Sequence, residues 1–256
     1  MDGLDQLFVV LAGLGAGFIA SSIGVASLVS FPVLIALGLP PVVANASNTV
    51  GLIPAGLSGV FGYRRELAKY PQVTAVVLGT AGIGAVVGAL LLLSLSEGIF
   101  EVLVPWLILF ACTLVGLQPW ISRQLAARRS GLEAPEPRVK AGPVVTVLTG
   151  LAGIYGGYFG AGQGVIVVAI IALGLDLEIA VVNALKTAAV LGANLVAGAI
   201  FIAIADLDWA VIVLLGAGSV VGGYVGAHVG RRLPATLFRT LVVVAGVTAA
   251  GIMLVG

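Results

Sequence analysis

The segment AGFIASSIGVASLVSFPVLIALGL at residues 16–39 recurs 136 residues later as AGIYGGYFGAGQGVIVVAIIALGL at 152–175. The similarity continues at an offset of 138 residues, where NASNT at 45–49 aligns with NALKT at 183–187. Self-similarity at a nearly fixed offset indicates two copies of one structural unit. The sequence therefore predicts a first membrane repeat over residues 1–122, a cytoplasmic linker over 123–140 and a second membrane repeat over 141–256.

The composition assigns the chain to a membrane. Of its 256 residues 60% are hydrophobic and 9% charged, and its mean hydropathy is +1.21, whereas soluble domains carry roughly 25% charged residues. We therefore predict a multi-pass protein of the cell membrane, surrounded by lipid. The net charge of +1 offers no basic surface to nucleic acid, and the single cysteine, Cys112, excludes a disulfide framework and a multi-cysteine metal site. We expect no cofactor and no metal.

Uncharged blocks indicate where the chain crosses the bilayer. Each is near or above the roughly 20 residues that a helix needs to span the hydrocarbon core, and none alternates as a strand does. The blocks cover residues 6–63, 70–96, 102–122, 141–175, 187–205, 209–230 and 240–256. The predicted fold class is an all-α polytopic membrane protein. We expect no cleavable signal peptide, because Asp2 and Asp5 stand where a basic region would be.

The first uncharged block of each half is too long for one span and is interrupted by small residues. We interpret residues 6–39 and 141–175 as hairpins of two short helical arms that return to the side they start from, with pairs of short full spans as the alternative. A hairpin plus three full spans makes the number of crossings per half odd, so the second half is inverted relative to the first. With the N-terminus outside, this topology places eleven of the twelve basic residues on the cytoplasmic side, in agreement with the positive-inside rule.

Lys186 is the twelfth basic residue, and uncharged sequence flanks it in VVNALKTAAVLGANLVAG. None of the eleven acidic residues falls inside a hydrophobic block, so the sequence offers Lys186 no acidic partner there. A buried ammonium without a counterion is costly. We predict that an anionic ligand balances its charge. The alternative is that the side chain extends to the cytoplasmic interface.

Uncharged polar residues at matching positions of the two repeats are predicted to bind the same ligand. Amides and hydroxyls donate hydrogen bonds to the oxygens of an anion without adding charge. The predicted ligands of this kind are Asn45, Asn48 and Thr49 in the first half and Asn183 and Thr187 in the second, with Asn194 two turns beyond Lys186. The alternative is that these side chains tie membrane helices together.

Glycines interrupt both hairpins and are predicted to bring backbone close to the ligand. The first break contains Gly24, and the second is GAGQG at 160–164, where Gly160, Gly162, Gln163 and Gly164 are predicted substrate-binding residues. Glycine permits close approach, and a helix N-terminus presents free N–H groups and partial positive charge to an anion. Broken helices at paired positions of two repeats are typical of a transporter binding site.

The two halves resemble the sulfite exporter TauE/SafE family of membrane transporters over nearly the whole chain. Each half begins with AGF or AGI, continues through a glycine-containing break and ends in LGL. The usual break of the family, a GxGGG run followed by a proline, is altered here to GVASLVSFP in the first half and GAGQGVIVVA in the second. The resemblance implies transport of small sulfur-containing or organic anions, such as sulfite or sulfonates.

The sequence thus predicts a secondary transporter of small anions that works by alternating access, coupled to an ion such as a proton or sodium, and not an enzyme. Two alternatives stay open. The strings GLSG at 56–59 and AHVG at 227–230 are similar to the motifs of rhomboid intramembrane serine proteases, with Ser58 and His228 as the dyad. The other alternative is an anion channel.

Overall fold

The fold was analysed on a computed structural model, which describes residues 2–22, 25–130, 138–229 and 235–255. In these residues the regular structure is helical, which confirms the predicted all-α membrane fold. Six of the helices are long and apolar enough to cross a membrane. Their candidate spans are Gly3–Ala20, Pro71–Ser94, Gly98–Trp120, Ile179–Ile204, Trp209–Gly226 and Thr236–Val255.

The first half contains α1 (Gly3–Ser22), α2 (Ser27–Ala36), α3 (Pro41–Gly51), α4 (Ile53–Gly62), α5 (Arg64–Lys69), α6 (Pro71–Ser94) and α7 (Glu97–Ser130). Only Leu52 separates α3 from α4. The interruption follows from Pro54, which lacks the N–H that would bond to the carbonyl of Val50 and whose ring crowds that carbonyl. α7 continues into the predicted linker as far as Ser130.

The second half contains α8 (Pro143–Tyr158), α9 (Gln163–Gly174), α10 (Ile179–Ile204), α11 (Trp209–Val229) and α12 (Ala235–Val255). Its helix starts follow the sequence repeat. α10 begins 138 residues after α3, and α11 begins 138 residues after α6.

The hairpin of the second half is made of two short helices. α8 and α9 have 16 and 12 residues, roughly 24 and 18 Å at 1.5 Å per residue, and both are shorter than the ~30 Å hydrocarbon core. Gly160 and Gly162 turn the chain between them with φ of 76° and 79°, where a side chain is strained.

The two helices in the hairpin of the first half differ more in length. α2 has 10 residues, but α1 has 20 and is long enough to span, so its first arm is longer than the short arm that the sequence predicts. The predicted site residue Gly24 lies outside the described residues.

Each hairpin packs against a long helix of the other half. α1 lies along α11, and α8 lies along α6. Glycines bring these backbones together: a Cβ added at Gly17 would overlap the carbonyl of Ser219, and one at Gly84 would overlap the carbonyl of Gly150. Such contacts are typical of membrane helices, which associate through small residues.

The contacts also give the relative directions of the helices. Residue numbers rise together along α6 and α8, where Gly84 lies beside Gly150 and Gly88 beside Ile154. Along α4 and α10 they run in opposite senses, in the contacts of Ile53 with Gly198, Gly56 with Leu191 and Gly59 with Thr187. The α3–α4 segment is therefore antiparallel to α10, its counterpart in the sequence repeat.

The close approach of α6 and α8 predicts opposite effects of two glycine substitutions. Gly84→Ala should lower the melting temperature of the purified protein in detergent by several degrees, because the new methyl group displaces the α8 backbone. The matched control is Gly79→Ala in the same helix, where an added Cβ has nothing within 4 Å. It should leave the melting temperature unchanged or raise it, because alanine favours helix over glycine. Equal losses from both substitutions would contradict this packing.

Candidate functional site

A cavity of about 230 Å³ lies between the two halves. Its wall comes from both hairpins, from α4 and α10, and from the neighbouring parts of α5 and α11. Glycine and alanine make up about half of the lining, so backbone borders much of the space. The polar side chains in the lining are Ser27, Ser58, Tyr63, Glu66, Lys186, Thr187 and Asn194.

Lys186 contributes the positive charge of the cavity wall. It is 9% exposed, and with Thr187, Val190 and Asn194 it forms a face of α10, because residues three, four and seven positions apart lie on one side of a helix. In the part of the chain that the structure describes, Lys186 makes no hydrogen bond, and its ammonium has no carboxylate within 4.0 Å; the ion pairs found there are Lys69 with Glu178 and Arg138 with Asp176. The prediction of an unpaired lysine in the membrane agrees with this geometry.

The N-terminus of α9 faces the same cavity. Gly162 is its N-cap, and Gly160, Gly162 and Gly164 all line the space. Within the described residues, the N–H groups of Gly162 and Gly164 have no acceptor. Free N–H groups at the first turn of a helix, together with the helix dipole, attract an anion.

The N-terminus of α2 contributes from the first half. Val25, Ala26 and Ser27 line the cavity, and Ala26 is the N-cap of the helix. The first turn bonds through the N–H groups of Leu28 and the residues after it, which leaves the N–H groups of Ala26 and Ser27 without an acceptor in the described chain. Two helix N-termini, one from each repeat, therefore meet at the cavity that holds Lys186.

Two further polar residues of α10 flank Lys186. Thr187 lines the cavity, and its hydroxyl donates to the carbonyl of Asn183 at 2.8 Å. Asn194 lines the cavity with no hydrogen-bond partner for its amide in the described residues. Asn183 is half-buried and does not line the cavity.

The polar residues of NASNT belong to α3 and lie outside the cavity lining. Asn45 is buried and donates from Nδ2 to the carbonyl of Tyr158 at 2.9 Å, which joins α3 to the end of α8. Asn48 accepts a hydrogen bond from the hydroxyl of Ser30, which joins α3 to α2. Thr49 is 7% exposed. In this conformation Asn45 and Asn48 tie helices together, as the alternative interpretation has it.

Gln163 also lies outside the cavity lining, although its neighbours Gly162 and Gly164 are part of it. Its side chain is 1% exposed and packs on Gly156, where an added Cβ would overlap it. Neither Nε2 nor Oε1 has a hydrogen-bond partner in the described residues. A buried amide with two unpaired polar atoms is unusual in a folded protein.

The sequence analysis did not identify Ser27, Ser58, Tyr63 and Glu66 as ligands of the site, although all four line the cavity. Glu66 is an acid of the short helix α5, beyond the end of the uncharged block. Among the described residues, no group of three or more His, Cys, Asp or Glu side chains is placed to hold a metal ion.

Comparison with known proteins places the chain in a family. The sequence model described as Sulfite exporter TauE/SafE matches residues 9–253. The chain belongs to this family. It is 28% identical over 245 residues to a probable membrane transporter protein of Haemophilus influenzae, with 94% of this chain and 92% of that protein covered. A probable membrane transporter protein, ORF9, of a Sinorhizobium species is 26% identical over 249 residues, with 95% and 90% covered. No solved structure matches the chain.

The TauE/SafE assignment confirms the resemblance seen in the sequence, and the names of the relatives indicate a membrane transporter, a class that is usually not enzymatic. For the protease alternative, the structure describes one of the two side chains. Ser58 lines the cavity, and its hydroxyl donates to the carbonyl of Ala55 at 3.2 Å. The side chain of His228 lies outside the described residues.

Proposed function

We propose that this TauE/SafE protein is a secondary transporter that binds a small anion in the cavity between its halves, with sulfite and sulfonates as the substrate class. The observation that carries the proposal is the meeting of Lys186 with the N-termini of α2 and α9 in one cavity. The name of the family supports sulfur oxyanions as the substrate.

The anion is held by charge and by N–H donors. The ammonium of Lys186 neutralises it, and the free N–H groups of Gly162 and Gly164 hydrogen-bond its oxygens. Asn194 donates from its amide, and Thr187 exchanges its bond within the helix for one to the substrate. Because Lys186 has no protein counterion in the described chain, the ligand replaces a missing partner and does not have to break an existing ion pair.

Many transporters that work by alternating access are built from inverted repeats, and we infer this arrangement for the protein. The antiparallel contact of α4 with α10 supports it, because counterparts in inverted repeats run in opposite directions. The cavity extends toward Tyr63 and Glu66, beside the basic cluster of α5 that the positive-inside rule assigns to the cytoplasm. The present conformation is therefore the one that faces the cytoplasm.

Aromatic packing supports a transporter over an open channel. Phe159 follows the end of α8 and precedes Gly160 in the cavity wall. Its ring packs edge-on against Phe31 and Phe100, with centroids 5.3 and 6.4 Å apart. All three rings are buried. We assign to these rings the closure of the pathway beyond the hairpin of the second half.

Glu66 is the group that we assign to ion coupling. It is a carboxylate in the lining of a cavity built for an anion, and it has no basic partner within 4.0 Å in the described residues. A bound proton or sodium ion removes the repulsion between this carboxylate and the anion. Anion flux should accordingly saturate with substrate and respond to an imposed gradient of one of these ions.

Replacement of Lys186 tests the proposed site. Lys186→Gln should weaken binding of sulfite or methanesulfonate by roughly tenfold or more, because a hydrogen bond to a charged group contributes about 1.5–3 kcal/mol. The same change should leave the melting temperature of the ligand-free protein equal or higher, since it removes an unpaired buried charge. The measurement is the rise in melting temperature with anion concentration.

Lys140→Gln is the matched control for Lys186→Gln. Lys140 is exposed and does not line the cavity, so its replacement should leave anion binding unchanged. Undiminished affinity in a folded Lys186→Gln protein would contradict the proposed role of Lys186.

Single cysteines test the inversion of the halves. Ala68 and Asp206 are counterparts at the offset of 138 residues, and both are exposed. In a Cys112→Ala background, Ala68→Cys should react with an impermeant thiol reagent from the cytoplasmic side alone, and Asp206→Cys from the outside alone. Parallel repeats predict labelling of both cysteines from one side.

A further inference from the structure

When each helix is replaced by its counterpart in the other repeat, the set of helix contacts stays nearly the same. The contact of α1 with α11 becomes that of α8 with α6, and the contact of α2 with α12 becomes that of α9 with α7. The cavity does not share this symmetry. It is lined by α4 and by the cytoplasmic part of α10, but not by α3.

The sequence repeat assigns a counterpart to each residue of the lining. Leu52 exchanges with Val190, and Gly56 exchanges with Asn194, and all four of these residues line the present cavity. These four residues would therefore line the cavity both in the present conformation and in one in which the two repeats have exchanged their conformations. Asn194 is its polar member.

Other lining residues have counterparts that are buried in the present conformation. Thr187 corresponds to Thr49, which is 7% exposed. Gly59 corresponds to Ala197, which is 0% exposed. At the hairpin offset of 136 residues, Ser27 corresponds to Gln163.

Gln163 gives independent support to this correspondence. Its amide is 1% exposed and has no partner for either polar atom in the described chain. Gly156, on which it packs, is the counterpart of Ala20 in the cavity lining. An amide that is unpaired in one conformation is explained if a second conformation opens it to water and ligand.

We propose that the protein has a second, outward-facing anion site between α3 and the outer part of α10, with Thr49 and Gln163 in its wall. When the present cavity closes, this site opens and the anion moves into it. Asn194, which is common to both cavities, hands the anion on to the Gln163 amide, which donates a hydrogen bond from Nε2. The inference rests on the proposed function, because it concerns the same substrate on the other side of the membrane.

The test compares two cysteines at counterpart positions in a Cys112→Ala background. Thr187→Cys should react with a charged, impermeant methanethiosulfonate from the cytoplasmic side, and Thr49→Cys from the outside. Ser219→Cys is the control for nonspecific access, because Ser219 is 0% exposed and lines neither cavity. It should react from neither side.

A bulky residue then shifts the equilibrium between the conformations. Ala197→Trp should hold α3 apart from the outer part of α10, where the second site is proposed. The reaction of Thr49→Cys should then become roughly tenfold faster or more, and that of Thr187→Cys slower. Gly59→Trp, at the counterpart position, should have the opposite effect on both rates. If Ala197→Trp does not fold, Val196→Trp, the counterpart of Ser58, replaces it.

The outcomes separate this inference from the proposed function. A Thr49→Cys that stays unreactive from the outside in a folded Ala197→Trp protein, or in the Val196→Trp protein that replaces it, would overturn the second site, even if Lys186→Gln abolishes anion binding. A Thr49→Cys that reacts as expected, in a protein whose Lys186→Gln variant binds anions normally, would support the second conformation and refute the proposed role of Lys186.

Discussion

A buried ammonium group without a counterion in the described chain is the feature on which the account of this protein depends. The ammonium of Lys186 has no carboxylate within 4.0 Å in the described chain, and the residue is 9% exposed. Charge in such surroundings is unfavourable unless something balances it. The neighbouring groups add N–H donors and the positive ends of two helix dipoles, which all favour a negative ligand.

The glycine contacts limit the motions that the proposed alternating access can use. α1 is held against α11 and α8 against α6 by backbones too close for a side chain between them. Each hairpin is thereby fixed to a helix of the other half. In the proposed alternating access, a motion that opens one cavity and closes the other would carry α1 with α11 and α8 with α6, so the moving bodies would combine parts of both sequence repeats.

Much of the fold was predictable from the sequence, because hydropathy and charge determine which segments cross a bilayer. The uncharged flanks of Lys186 and the glycine run at 160–164 pointed to residues that now line one cavity. Asn45 and Asn48 were harder to place, since composition does not tell that α4 lines the cavity and α3 does not. Glu66 was missed because it lies beyond the uncharged block, and only the packing of α5 against α10 brings it to the cavity.

The most direct test of the central claim is a structure of the protein with selenite, a selenium analogue of sulfite, located by its anomalous scattering. The account predicts one selenium peak in the cavity, with oxygens within hydrogen-bond distance of the Lys186 ammonium and of the N–H groups of Gly162 or Gly164. Selenium found only at exposed basic residues, with none in the cavity at saturating selenite, would contradict it.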